Sequence, residues 1–183
     1  QQLDIARNVF VSLLKRRDQE LNRSLSILAK DHAFKQALAT EDMGTIISTL
    51  ESLESRVMAD AIWITDDEGM VSQSTLEDGQ ADVLEELPFI ENALDEEAGF
   101  AIISIKGVPY QLTAVPVLAP DVVGVLIAGF RIDDAVAEEI QAITKTEISF
   151  RSGGSIFAST LSSEDARKSL EENADSFIPG EPR

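Results

Sequence analysis

One short passage occurs twice in this chain, and each copy dictates the same local fold. Asp66–Asp67–Glu68–Gly69–Met70–Val71–Ser72–Gln73–Ser74–Thr75–Leu76 is echoed by Arg151–Ser152–Gly153–Gly154–Ser155–Ile156–Phe157–Ala158–Ser159–Thr160–Leu161. Aligned without a gap, Gly69 falls on Gly154, Val71 on Ile156, and Ser74–Thr75–Leu76 on an identical Ser159–Thr160–Leu161. An apolar or alternating run precedes each copy, Ala61–Thr65 in the first and Glu147–Phe150 in the second. An acidic stretch follows each, beginning near Glu77 or Glu164. Strand, glycine turn, strand is the signal of a β-hairpin opening a sheet, and its recurrence suggests two related modules in tandem. The competing explanation is coincidence between two ordinary hairpins, since Ser, Thr and Gly are common near turns. A much shorter stretch follows the second copy than the first, so the second module reads as unfinished and the chain as part of a longer protein.

Composition narrows the function classes. The 183 residues suffice for one substantial core with a smaller satellite. Thirty-three acidic against fifteen basic residues leave a net charge of −18, which repels nucleic acid and anionic membrane surfaces alike. There is no cysteine, hence no disulfide framework, zinc-thiolate site or cysteine nucleophile. That absence is compatible with an oxidising extracytoplasmic compartment. The most apolar stretch, Ala114 to Phe130, is interrupted by Pro116, Pro120 and Asp121 and carries two glycines, so it reads as paired strands and not as a membrane span. Gln1–Gln2–Leu3–Asp4 opens without the basic and apolar regions of a signal peptide.

From Leu3 to about Leu38 no proline or glycine occurs and apolar residues recur at helical spacing. Phe10, Leu14, Leu21, Leu25 and Leu28 form one stripe, widened by Ile5, Val9 and Leu13, while Lys15, Arg16, Asp18, Glu20 and Asn22 mark a polar face. One helix of nearly ten turns is predicted, with two readings. It is a stalk that forms a homodimer along its stripe, a core helix lying across a sheet, or each of these at opposite ends. A second helix is predicted over Thr45–Met58, burying Ile46, Ile47, Leu50, Leu53 and Val57. Strands follow at Ala61–Thr65 and Met70–Ser74, an acidic loop at Leu76–Gln80, and a short helix at Leu87–Leu94. Phe100–Ile105, Tyr110–Leu118 and Val122–Phe130 read as three antiparallel strands. Asp133–Asp134 caps a helix from Ala135 to Ile143, and a last helix is expected over Ser163–Asn173. The sum is an α+β fold: a long N-terminal helix, a five-stranded antiparallel sheet with flanking helices, and the start of a second similar module.

This order resembles the PAS-like sensor modules called Cache domains, in particular the double Cache sensors of bacterial membrane receptors. The resemblance rests on the long N-terminal helix, on Ala59–Asp60–Ala61–Ile62–Trp63–Ile64–Thr65–Asp66–Asp67–Glu68–Gly69, and on Val115–Pro116–Val117 together with Gly124–Val125–Leu126–Ile127–Ala128–Gly129–Phe130–Arg131–Ile132–Asp133. It implies residues 1–40 as a stalk helix, 41–145 as a membrane-distal Cache module and 146–183 as part of a membrane-proximal one. It also implies an extracytoplasmic location, periplasmic or on the outer face of the membrane, anchored by helices outside this segment. The output would be a cytoplasmic kinase, cyclase, diguanylate cyclase or chemotaxis module.

Catalysis is hard to build from these residues, and no enzyme is expected. His32, the single histidine, has no second histidine for a metal site and no evident partner as a base. Asp66–Asp67–Glu68–Gly69 lacks the alternating ligands of a calcium loop and reads as a hairpin turn. Gly153–Gly154 fails both the Walker and the dinucleotide patterns. Ser74 and Ser159 have no base beside them. No metal or cofactor is expected.

What remains is a pocket for a small molecule, which the resemblance places against the central strands. Trp63 and Tyr110, the only Trp and Tyr, fall on candidate pocket strands and offer apolar walls with polar tips; ordinary core packing is the simpler explanation of both. Arg56, Lys106 and Arg131 flank those strands, either receiving a carboxylate ligand or pairing with neighbouring acids. Gln73, Gln111 and Thr113 offer neutral hydrogen bonds. Alternation sets Gln111 and Thr113 on the face opposite Tyr110 and Leu112, and only one of those faces is the pocket. The expected function is a ligand-sensing ectodomain of a bacterial membrane signalling receptor. The alternative is a dimerisation or protein-interaction module whose pocket is closed by its own side chains.

Overall fold

The computed structural model describes residues 2–40, 42–76, 84, 88–95, 99–145, 147–152 and 155–161. Two compact units emerge, one built from Leu14–Ile105 and Tyr110–Arg131, the other from Gln1–Leu13, Lys106–Pro109 and Ile132–Arg183. Among the described residues, no helix is long and apolar enough to cross a membrane.

The predicted ten-turn helix is two helices. α1 spans Gln2–Ala29 and α2 spans His32–Ala39. Asp31 takes an extended conformation between them, and its carboxylate accepts the amides of Ala33 at 2.8 Å and Phe34 at 3.1 Å. An aspartate side chain that satisfies the free amides of a new helix start competes with continuation of the old one. Asp42 repeats the device for α3, Met43–Val57, accepting from the Thr45 amide and hydroxyl at 2.8 and 2.6 Å.

The first unit centres on a five-stranded antiparallel sheet of order β2-β1-β5-β4-β3. Its strands are β1 (Ala61–Thr65), β2 (Val71–Ser74), β3 (Gly99–Ile105), β4 (Val108–Leu118) and β5 (Val122–Arg131). The short helix α4, Pro88–Leu94, lies between β2 and β3 in sequence. Strand alternation gives the sheet two apolar faces. Ile62, Ile64, Val115, Val117, Leu126, Ala128 and Phe130 pack with Leu21, Leu25, Leu28, Phe34, Leu50 and Leu53 of α1, α2 and α3. Ala61, Trp63, Tyr110, Leu112, Ala114, Val125 and Ile127 pack with Phe89, Ile90 and Ala93 of α4, and with Leu84 and Ile105.

The leucine stripe of α1 is therefore core. Leu14, Leu21, Leu25 and Leu28 are buried within the chain itself, as the core-helix reading of the stripe expects. The sheet already covers those side chains. The placement of Asp18 on the polar face is corrected: it sits between Leu14 and Leu21 on the stripe and reaches β4, as described below.

In the second unit α5, Asp134–Thr144, precedes β6 (Ser149–Ser152) and β7 (Ser155–Ser159). Leu13, Ile132, Val136, Ala137, Ile140, Ile148 and Ala158 form its core. The Ser–Thr–Leu ends of the twin passages are held alike. In the first, Thr75 Oγ1 accepts the Ile62 amide at 2.9 Å, the Thr75 amide donates to the Ile62 carbonyl, and Ser74 Oγ accepts the Leu76 amide. In the second, Thr160 Oγ1 accepts the Ile148 amide at 2.9 Å, the Thr160 amide donates to the Ile148 carbonyl, and Ser159 Oγ accepts the Leu161 amide. Each hairpin also carries a register shift at the matching place, after Ile64 in one and after Phe150 in the other. The helix expected over Ser163–Asn173, and the Glu77–Gln80 part of the acidic loop, lie outside the described residues.

Candidate functional site

The α4 side of the sheet carries the aromatic candidates. Trp63 is fully buried on β1, opposite Ile127 of β5 and Ser74 of β2. Tyr110 is buried on β4 and pairs in register with Arg131, the last residue of β5. Arg131 is held by Asp60, the residue before β1. Asp60 Oδ1 accepts from Nε and Nη2 of Arg131, both at 2.9 Å, while Oδ2 accepts the Arg131 backbone amide at 2.8 Å. Antiparallel pairing of β1 with β5 creates this meeting, since Ala61 lies opposite Gly129. Burial pushes the Tyr110 hydroxyl above its ordinary range, with Arg131 opposing and Asp60 adding to the rise. The chemistry offered is a mostly apolar face that includes the Tyr110 hydroxyl, rimmed by an ion pair. A carboxylate reaching Arg131 has to compete with Asp60 for it.

Gln111 and Thr113 lie on the other face, completely buried against α1. Gln111 Nε2 donates to the Leu14 carbonyl at 3.0 Å, and Thr113 Oγ1 donates to Asp18 Oδ1 at 2.8 Å. Burial raises the Asp18 carboxyl above its usual range, against the opposing effect of the Thr113 hydrogen bond.

The remaining candidates are scattered. Arg56 is exposed in the last turn of α3, and Lys106 is exposed in the turn between β3 and β4. Gln73 is half-buried on β2 opposite Ile64, a residue of the helix-covered core. The structure thus places Trp63, Tyr110 and Arg131 on one face of the sheet, with Tyr110 and Arg131 paired in register, and Gln111 with Thr113 on the other. Asp60 and Asp18 escaped sequence reasoning. Finding Asp60 needed the β1–β5 register; Asp18 was signalled by its place four residues after Leu14 and three before Leu21.

The groups considered for catalysis have structural partners or lie in solvent. His32 is exposed at the start of α2. Asp66 Oδ1 accepts the amides of Glu68 and Met70, and Gly69 has a φ of +87°, so this acidic run is a built turn. Ser74 and Ser159 accept backbone amides, and Ser159 also shares a 2.7 Å hydrogen bond with Ser149. Among the described residues no cluster of His, Cys, Asp or Glu is arranged to hold a metal ion.

Comparison with known proteins fits this architecture. The family described as the double sensory domain of two-component sensor kinases matches residues 1–176. No curated protein sequence matches the chain. Among solved structures, the periplasmic domain of Vibrio cholerae LuxQ aligns with a TM-score of 0.65 at 14% identity, covering 90% of this chain and 81% of that one. The sensor domain of Escherichia coli DcuS aligns at 0.53 and 20% identity, covering 68% of this chain and 97% of that one. The sensory domain of the Campylobacter jejuni chemoreceptor Tlp3, with isoleucine bound, aligns at 0.52 and 17% identity, covering 87% and 69% respectively. At these identities the likeness is one of fold.

Proposed function

Because this chain belongs to the double Cache family of sensory domains, we propose that it is the extracytoplasmic sensing region of a bacterial membrane signalling receptor. It binds a small molecule on the α4 side of the sheet and signals through its helices. The observation that carries this reading is the placement of Trp63 and Tyr110, the chain's only large amphipathic aromatics, together on that face beside the Asp60–Arg131 pair. The mostly apolar surroundings favour a ligand with an apolar body and one polar end, met by Tyr110 and the rim. Exchange of packing between α4 and the sheet would shift the population of helix arrangements, and anchoring helices outside this segment would pass that shift across the membrane.

A second reading is favoured by one observation. Leu84, Phe89, Ile90 and Ala93 already pack on the same sheet residues, as expected of a protein-interaction module closed by its own side chains. A thermal-shift screen of amino acids, organic acids, amines and nucleobases separates the two. A saturable rise in melting temperature means binding to the folded state. A well-folded sample that responds to none of them supports the interaction module.

A further inference from the structure

β3 is an edge strand of the five-stranded sheet, and its sequence lacks the residues that usually guard an edge. Gly99–Phe100–Ala101–Ile102–Ile103–Ser104–Ile105 contains no charge and no proline. Those are the residues that keep an open row of backbone amides and carbonyls from pairing with another chain. Alternation gives the strand two unlike sides. Ala101, Ile103 and Ile105 pack into the α4-side core. Phe100 and Ile102 project on the opposite side, outside the cluster built on α1, α2 and α3, and remain 43% and 47% exposed. Ser104 continues that row and is exposed as well. An uncharged edge bearing two large exposed apolar side chains invites a further strand.

Charge identifies the occupant. In sequence, Asp95–Glu96–Glu97 leads into β3 and Lys106 follows it. A second copy of β3 laid antiparallel against the first brings an acidic lead to a basic end twice, once at each end of the pair. A parallel copy would set acid against acid. Geometry makes the same choice. Directly opposite residues of an antiparallel pair share a face, and a slip of one residue turns every side chain over. The register that pairs all seven residues sets Ile102 opposite Ile102 and Phe100 opposite Ser104. Both copies' Phe100 and Ile102 then gather on one face, each Phe100 diagonal to the other copy's Ile102 and within reach of it. Parallel pairing of the same edge would require one sheet to be turned over, which parts these side chains.

We propose that β3 is a homodimerisation edge, through which two copies of this chain join their sheets antiparallel about a two-fold axis at Ile102. The contact is self-complementary, so it closes at two copies and does not propagate. It uses neither the leucine stripe of α1 nor the α4-side face.

Sedimentation of the whole chain over a concentration series should reveal a species of twice the 19.9 kDa monomer mass. Ile102→Lys sets like charges opposite each other at the axis and should weaken association roughly tenfold or more, with an unchanged circular dichroism spectrum. The chain has no cysteine, so introduced cysteines report the register. Under mild oxidation Ile102→Cys should cross-link to itself and Ser104→Cys should not. A mixture of Ser104→Cys and Phe100→Cys should cross-link, because directly opposite positions lie within disulfide reach. Should Ile102→Lys fail to fold, the cysteine pattern decides alone. A native chain that sediments as a monomer throughout overturns the proposal and leaves the edge to a strand of another protein. A dimer that ignores Ile102→Lys and is not cross-linked by Ile102→Cys is built elsewhere, and overturns it too.

Discussion

The indole of Trp63 lies over Gly129: a β-carbon at position 129 would fall 2.7 Å from Trp63 Cζ3 and 2.9 Å from Cη2. Glycine is required there by close approach, because even a methyl group would push the ring off the β5 backbone. Gly129→Ala should destabilise the first unit by about 1–3 kcal/mol, the usual cost of overpacking a core. Trp63→Phe introduced with it should recover part of that loss through the smaller ring. Urea unfolding of the two single variants and the double variant measures the coupling.

The Ser–Thr–Leu twins make separable predictions. In Thr75→Val the Ile62 amide loses its acceptor, at a cost of about 1–3 kcal/mol for an orphaned buried donor. Thr160→Val should do the same to the Ile148 amide. Hydrogen exchange should therefore speed at residue 62 in the first variant and at residue 148 in the second. Crossed effects would contradict the two-hairpin reading.

Tyr110 is the single tyrosine, so its ionisation can be followed by ultraviolet absorbance without interference from another. Its midpoint should lie above the ordinary value of about 10, chiefly through burial. Arg131→Met should raise it further, since the guanidinium favours the phenolate, and Asp60→Asn should lower it. A hydroxyl that resists ionisation when folded makes the fold lose stability as pH climbs through that midpoint.

Much of the fold was legible because it rests on local chemistry. The twin hairpins, the strands of the sheet and the Asp133 cap follow from turn residues, alternation and capping preferences. The misreadings concerned what faces what. Asp31 interrupts the first helix through two short-range hydrogen bonds, yet an aspartate in a run without proline or glycine gives little warning. The stripe of Leu14, Leu21, Leu25 and Leu28 demanded a partner, and periodicity cannot distinguish a second copy from the chain's own sheet. Leu21→Asp should consequently unfold the first unit, costing several kcal/mol for a charge in the core. Circular dichroism would register lost structure where a dimer contact would change only the sedimenting mass. For the site, alternation separated Tyr110 from Gln111 and Thr113. Only tertiary packing shows that α1 covers the latter pair and α4 the former.

Fluorescence of Trp63, the single tryptophan, tests the central claim most directly when read during titration with any compound that raises the melting temperature. A ligand on the α4 side should change that emission saturably, at the same midpoint as the thermal stabilisation, and Arg131→Met should weaken both responses in parallel. A compound that stabilises the fold while leaving Trp63 emission unchanged would contradict the account.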